Sequence, residues 1–174
     1  MHKIQQAGDP FFSFQVDDQW LAIDLIRVRS VAPAARMEQT GDAPFSPALA
    51  GFINTGSGEK VPVLDFKALM GRAQAQERNQ GEIIVVSLGA GNAGFLVDRA
   101  GGTIRIEPIA GNRGARPPDN PVLGTAQSSE KTYLLLDIAA FAGWLKTAQN
   151  AGENKESSRG ATCREENILE VSNV

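Results

Sequence analysis

The sequence predicts an all-β protein made from a duplicated unit of about five strands. Two observations predict it. First, short β-branched and aromatic runs alternate with glycine, asparagine and aspartate turn signals along most of the chain. Second, the two halves echo each other. Leu21-Ala22-Ile23-Asp24 matches Phe95-Leu96-Val97-Asp98, 74 positions on, and Val63-Leu64-Asp65-Phe66 matches Leu135-Leu136-Asp137-Ile138, 72 positions on. Glu59-Lys60 recurs as Glu130-Lys131. Each unit alone, at roughly 60–70 residues, would be marginal, so the two are expected to pack together and share apolar surface.

Taken in order, Phe11–Val16 reads as a strand, Asp17-Asp18-Gln19 as a turn and Trp20–Asp24 as the answering strand. Leu25–Val31 continues it, with Ile26, Val28 and Ser30 on one side, until Pro33 stops it. Residues 34–48 are loop-like, and Pro47 is suited to open one helical turn running to Ala50. Gly51–Thr55 and Lys60–Leu64 form a hairpin around Gly56-Ser57-Gly58. Asp65 stands where an N-cap belongs before Phe66–Met70, and Gly71 where a C′ glycine belongs.

Residues 72–81 are polar and read as a surface linker. Glu82–Leu88 is a strand with a continuous β-branched run, which suggests burial. It turns at residues 89–92 and returns as Gly94–Asp98; Thr103–Ile106 follows with alternation. Residues 107–121 read as a long loop. Leu123–Gln127 and Thr132–Leu136 form a hairpin around Ser128-Ser129-Glu130, and Asp137 caps Ile138–Leu145. The folded unit is expected to span 10–146. The stretch 147–174 is polar, and its last 24 residues contain no aromatic; it reads as a tail unable to bury enough to order itself.

Composition excludes several functions. The net charge of −3 argues against a nucleic-acid or anionic-membrane partner. One cysteine, Cys163, excludes an internal disulfide framework, and one histidine, His2, leaves no material for a His-based triad or multi-His metal site. No metal or other cofactor is expected. No apolar run approaches the ~18–20 residues of a membrane span. The start has no apolar segment of a secretory signal, so a cytoplasmic protein is expected.

Gly89-Ala90-Gly91-Asn92-Ala93-Gly94 satisfies G-x-G-x-x-G. A dinucleotide loop needs a helix after the third glycine and an acidic residue about 20 positions on. Here a strand follows, and Asp98 comes after four residues, so a hairpin turn is the better reading. A nucleotide-binding protein or small enzyme using this loop is the rival function. Asp24, Asp65, Asp98 and Asp137 end strands at related repeat positions, which suggests caps and turns rather than catalytic carboxylates. Gly51, Asn54, Asp65, Asp98 and Asp137 are therefore read as structural turn or cap positions. Trp20 and Trp144 are read as core packing or as interface. Arg27, Arg29, Arg36, Arg99, Arg105, Arg113 and Arg116 form either a solvated face or a rim for an acidic partner.

Gly51-Phe52-Ile53-Asn54 followed by Val61-Pro62-Val63-Leu64-Asp65-Phe66 is similar to the G-x-I-N-x-R-G-x-x-x-P-V-x-D-L signature of the CheW-type chemotaxis adaptors. The opening LAIDLIRV, the block EIIVVSLG…GFLVD and the closing LGT…LLLDI extend the resemblance over residues 10–145. It implies two packed five-stranded SH3-like barrels and no enzymatic activity. It implies two partners: the cytoplasmic helical tip of a chemoreceptor and the regulatory domain of a histidine kinase. Carried across, the receptor groove includes Val28 and Ser30 on one subdomain and Ala100 and Thr103 on the other, near Gly94. The family hairpin reads N-x-R-G; here it reads Asn54-Thr55-Gly56-Ser57-Gly58, without arginine and one residue longer. A generic SH3-like binding module is the remaining alternative.

Overall fold

The computed structural model describes residues 8–39, 48–72, 79–89, 91–108 and 121–142. The strands are β1 (Pro10–Val16), β2 (Gln19–Asp24), β3 (Val28–Pro33), β4 (Glu38–Gln39), β5 (Leu49–Asn54) and β6 (Lys60–Asp65). The second set is β7 (Glu82–Ser87), β8 (Asn92–Val97), β9 (Arg99–Arg105), β10 (Glu107–Pro108), β11 (Val122–Ser128) and β12 (Lys131–Leu136). One short helix, α1 (Phe66–Leu69), follows β6, and 3-10 turns occupy Leu25–Arg27, Ala34–Arg36 and Ile138–Phe141.

The strands form two sheets, ordered β10-β11-β12-β2-β1-β9 and β4-β5-β6-β8-β7-β3. Position by position the orders correspond, so the repeat read from four sequence landmarks governs the topology. The units are interleaved, however. The hairpin β1–β2 of the first half sits in the second sheet-forming half, and β7–β8 sits in the first. Each insertion makes one parallel pairing, Leu21 beside Leu134 on one side and Phe95 beside Leu64 on the other. Only Ile106 separates β9 from β10, and one 3-10 turn lies within the stretch between β3 and β4. Each such pair works as one bent strand with its two ends on opposite edges of a sheet. Each six-segment sheet is thereby a five-stranded barrel.

The bulges repeat too. Register shifts skip Arg29 on β3 and Gly101 on β9, then Ala50 on β5 and Leu123 on β11. The bulge at Arg29 overturns the expected alternation of Ile26, Val28 and Ser30. Ile26 lies in the 3-10 turn and is 75% exposed, while Val28 is half-buried.

Each barrel has its own interior, and a third apolar body joins them. Ala32, Ile53, Val61, Val63, Ile83, Val85 and Leu96 fill one barrel. Phe11, Ala22, Ile106, Ala126, Tyr133 and Leu135 fill the other. Phe12, Phe14, Leu21, Ile23, Leu64, Phe66, Ile84, Val86, Phe95, Leu136 and Phe141 form the shared core. This explains the unbroken apolar run on β7: Ile83 and Val85 face the barrel, Ile84 and Val86 face the shared core. Phe66 is the hub, with ring centroids 5.3, 5.7 and 5.6 Å from Phe14, Phe95 and Phe141.

Local signals hold where they are local. Asp65 Oδ1 accepts from the N–H groups of Lys67 (2.9 Å) and Ala68 (3.4 Å). Gly71 takes φ +70° after the helix. Asp137 Oδ1 accepts from Ala139 N at 3.1 Å. Gly51 is corrected: it is no turn but an interior residue of β5, where a Cβ would collide with the Glu38 carbonyl. The loop-like readings of 34–48 and 107–121 each contain a two-residue strand, β4 and β10. The helical turn expected from Pro47 to Ala50 is corrected where it is described: Leu49 and Ala50 already belong to β5. Pro47 itself, the linker interior 73–78, the loop 109–120, Trp144 and the tail 147–174 lie outside the described residues.

Candidate protein-binding site

β3 and β9 are equivalent strands, and each carries near its start a half-buried apolar residue leaning on the shared core: Val28, the first residue of β3, and Ala100, the second of β9. Val28 pairs with Val86 on β7. Ala100 pairs with Phe14 on β1, and its N–H donates to Glu82 Oε2 at the start of β7. Both residues therefore border one apolar body through β7. Ser30 and Thr103 are exposed on the same two strands, two and three residues further on. Gly94 does not join them. It is buried in β8, and a Cβ there would lie 2.8 Å from Ile83 Cγ2 and 3.0 Å from Val63 Cγ2. Its bare Cα lets β6, β7 and β8 close and offers a partner no surface.

The bulge just past each apolar residue is tolerated for different reasons. Gly101 must lack a side chain, because a Cβ would run into Ser13 Oγ and Trp20. Arg29, its counterpart, is exposed. Among the described residues Arg27, Arg29, Arg36 and Arg99 make no ion pair, whereas Arg105 donates to the Gly8 carbonyl at 2.8 Å. Arg113 and Arg116 lie outside the described residues.

Lys67, Arg72, Asp17 and Asp98 form a clasp between the barrels, which sequence reasoning missed because its members are far apart in the chain. Lys67 Nζ on α1 lies 2.8 Å from Asp17 Oδ1 and 2.9 Å from Asp98 Oδ1. Arg72 adds a contact of 2.9 Å to Asp17. Hydrogen bonds from Lys67 and then Arg72 hold the Asp17 carboxyl below its ordinary pKa. The hydrogen bond to Asp17 is the main cause that raises Lys67 above its ordinary value. Asn54, expected as a turn residue, ends β5 and donates to Glu38 Oε1 at 2.9 Å, where Lys60 also reaches Glu38.

The glycine-rich stretch is a strand connection. Leu88 N donates to the Gly91 carbonyl, β8 begins at Asn92 and runs through Gly94, and no helix follows the third glycine. Among the described residues no group of three or more His, Cys, Asp or Glu side chains is placed to hold a metal. No helix among them is long and apolar enough to cross a membrane.

Trp20 is half-buried at the outer end of β2. Its ring meets Tyr133 edge-on at 6.0 Å and carries Lys131 Nζ at 4.4 Å.

Two five-stranded barrels fused through a common core, with their apolar surface residues on equivalent strands, define a double SH3-like barrel. The model of the CheW-like domain matches residues 10–146, and the chain belongs to that family. A solved structure, the scaffolding protein TtCheW from Thermoanaerobacter tengcongensis, is similar in fold: TM-score 0.59 and 21% identity, covering 75% of this chain and 90% of that one. No curated protein matches.

Proposed function

We propose that this chain is a non-enzymatic cytoplasmic adaptor that couples chemoreceptors to a chemotaxis-type histidine kinase. Residues 10–146 form the adaptor unit and 147–174 a tail outside it. The observation that carries the reading is the family match over residues 10–146. Val28 and Ala100, at equivalent places beside one apolar body, support a groove for an amphipathic helix of the receptor tip. Ser30 and Thr103 flank it. The kinase regulatory domain engages other barrel surfaces. The work is geometric: an adaptor that holds both partners lets receptor state bias kinase activity through coupled binding. Modest single contacts gain from assembly into an array. Co-purification with a receptor tip fragment and, separately, with a kinase regulatory domain tests this. Binding to both is expected; binding to neither, with a folded chain, removes the reading.

A further inference from the structure

The exchange of hairpins between the two repeats has a consequence for association between molecules. Hairpin β1–β2 makes its strand pairings with β9 and β12 alone, both belonging to the other repeat. Among the described residues its covalent tie to the remainder is the three-residue turn Leu25–Arg27. The rest of the fold therefore holds this hairpin by strand pairing, by Phe11 and Ala22 in the barrel interior and by Phe12, Phe14, Val16, Leu21 and Ile23 in the shared core, not by its neighbouring sequence.

The turn is built like a hinge. Asp24 (φ −58°, ψ 123°) and Val28 (φ −77°, ψ 129°) flank it with extended backbone, and one Asp24 side-chain bond to Ile26 N (3.1 Å) caps it. Straightening those three residues would merge β2 and β3 into one long strand. Ile26, three-quarters exposed in the closed form, would then gain a surface to bury against. Short hinge connections invite such opening.

We propose that two copies of this chain exchange their β1–β2 hairpins, each hairpin completing the β9–β12 barrel of the other copy. The partner is a second copy, because the vacated slot matches the hairpin's own register: Phe12 beside Thr103 and Leu21 beside Leu134. The exchanged dimer keeps every contact of the monomer and loses only the 3-10 turn. Because the barrel must open, exchange takes place during folding.

The test is refolding from denaturant at low and at high protein concentration, followed by size exclusion. A dimer that grows with concentration and persists on dilution is expected; monomer alone at every concentration overturns the proposal. A Cys163→Ser chain carrying Gln15→Cys and Arg99→Cys, which face each other between β1 and β9, identifies the dimer. After oxidation, a non-reducing denaturing gel should show covalent dimer from the dimer fraction and covalent monomer from the monomer fraction. Covalent monomer from both fractions refutes exchange. In the otherwise unaltered chain, inserting three flexible residues after Arg27 should abolish the dimer, and Asp24→Ala should enlarge it. The insertion leaving the dimer unchanged also overturns the hinge.

Discussion

Asp98 Oδ2 accepts the backbone N–H of Asp17 at 2.6 Å, across 81 residues of chain. The bond ties the end of β8 to the β1–β2 turn, where Asp17 sits at φ +52°. Lys67 then bridges both carboxylates from α1. Asp98→Asn keeps an acceptor for the N–H and loses the ion pair; Asp98→Ala loses both. Since a net hydrogen bond contributes about 0.5–1.5 kcal/mol, Ala should be the more destabilising by about 0.5–1 kcal/mol in denaturant titrations. Equal effects would mean that the backbone bond contributes nothing.

The same clasp sets two edges of a pH profile. Asp17 has a lowered folded-state value, so its contribution is complete above its ordinary pKa of 3.8 and fades as pH falls through the lower folded value. Lys67 is raised, so its contribution is complete below its ordinary 10.5 and fades as pH climbs through the higher folded value. Lys67→Met should flatten both losses, and added salt should shrink them, because these side chains are solvent-screened. Thermal melts across pH at two ionic strengths check this.

Asp65 is 1% exposed, and its Oδ1 serves both N-cap bonds; among the described residues Oδ2 has no hydrogen-bond partner. Replacing a cap by Ala typically costs about 0.5–2 kcal/mol. Asp65→Ala should fall at the upper end, since α1 also presents Phe66, the hub of the aromatic cluster. Asp65→Asn keeps the acceptor and removes a buried charge, so it should stay within about 0.5 kcal/mol of the parent. An Asn variant as weak as Ala would show that the charge itself is needed.

The β11–β12 hairpin turns on Ser129 (φ +47°) and Glu130 (φ +67°), a left-handed pair of the type I′ kind. Such backbone costs an L-residue about 1–2 kcal/mol, partly offset by the greater unfolded freedom of glycine. Glu130→Gly should therefore stabilise by about 0.5–1 kcal/mol. A lower melting temperature would count against the turn geometry.

How much of this was legible follows from the range of each cause. Asp65, Asp137 and Gly71 act within four residues of themselves, and their roles stood in the sequence. The repeat was also legible, because equivalent strands keep equivalent side chains. The interleaving was not: nothing local in Leu21-Ala22-Ile23 names Leu134-Leu135-Leu136 as its parallel neighbour. Gly51 and Gly94 look like turn glycines in a string of letters. Only the packed structure reveals that Glu38 and Ile83 occupy the space of their missing Cβ atoms. The bulge at Arg29 reverses an alternation that period-two reading takes at face value. The proposed groove combines both kinds of information: its members came from resemblance, and their placement separates Gly94 from the other four.

That separation makes the groove testable. Ser30 and Thr103 are exposed, so Ser30→Lys and Thr103→Glu should leave melting unchanged within about 0.5 kcal/mol. Val28 and Ala100 are half-buried against the shared core, so Val28→Glu and Ala100→Glu combine a modest loss of stability with a charge in an apolar contact. All four should weaken receptor-tip binding, the latter two by tenfold or more, equivalent to about 1.4 kcal/mol. Gly94→Ala should do the opposite: its Cβ crowds Ile83 and Val63, costing about 1–3 kcal/mol of stability, while the folded fraction binds normally. Pull-downs paired with melts distinguish the two patterns. Normal binding by all four surface variants, with parental melting for Ser30→Lys and Thr103→Glu, would move the receptor to another face of the molecule.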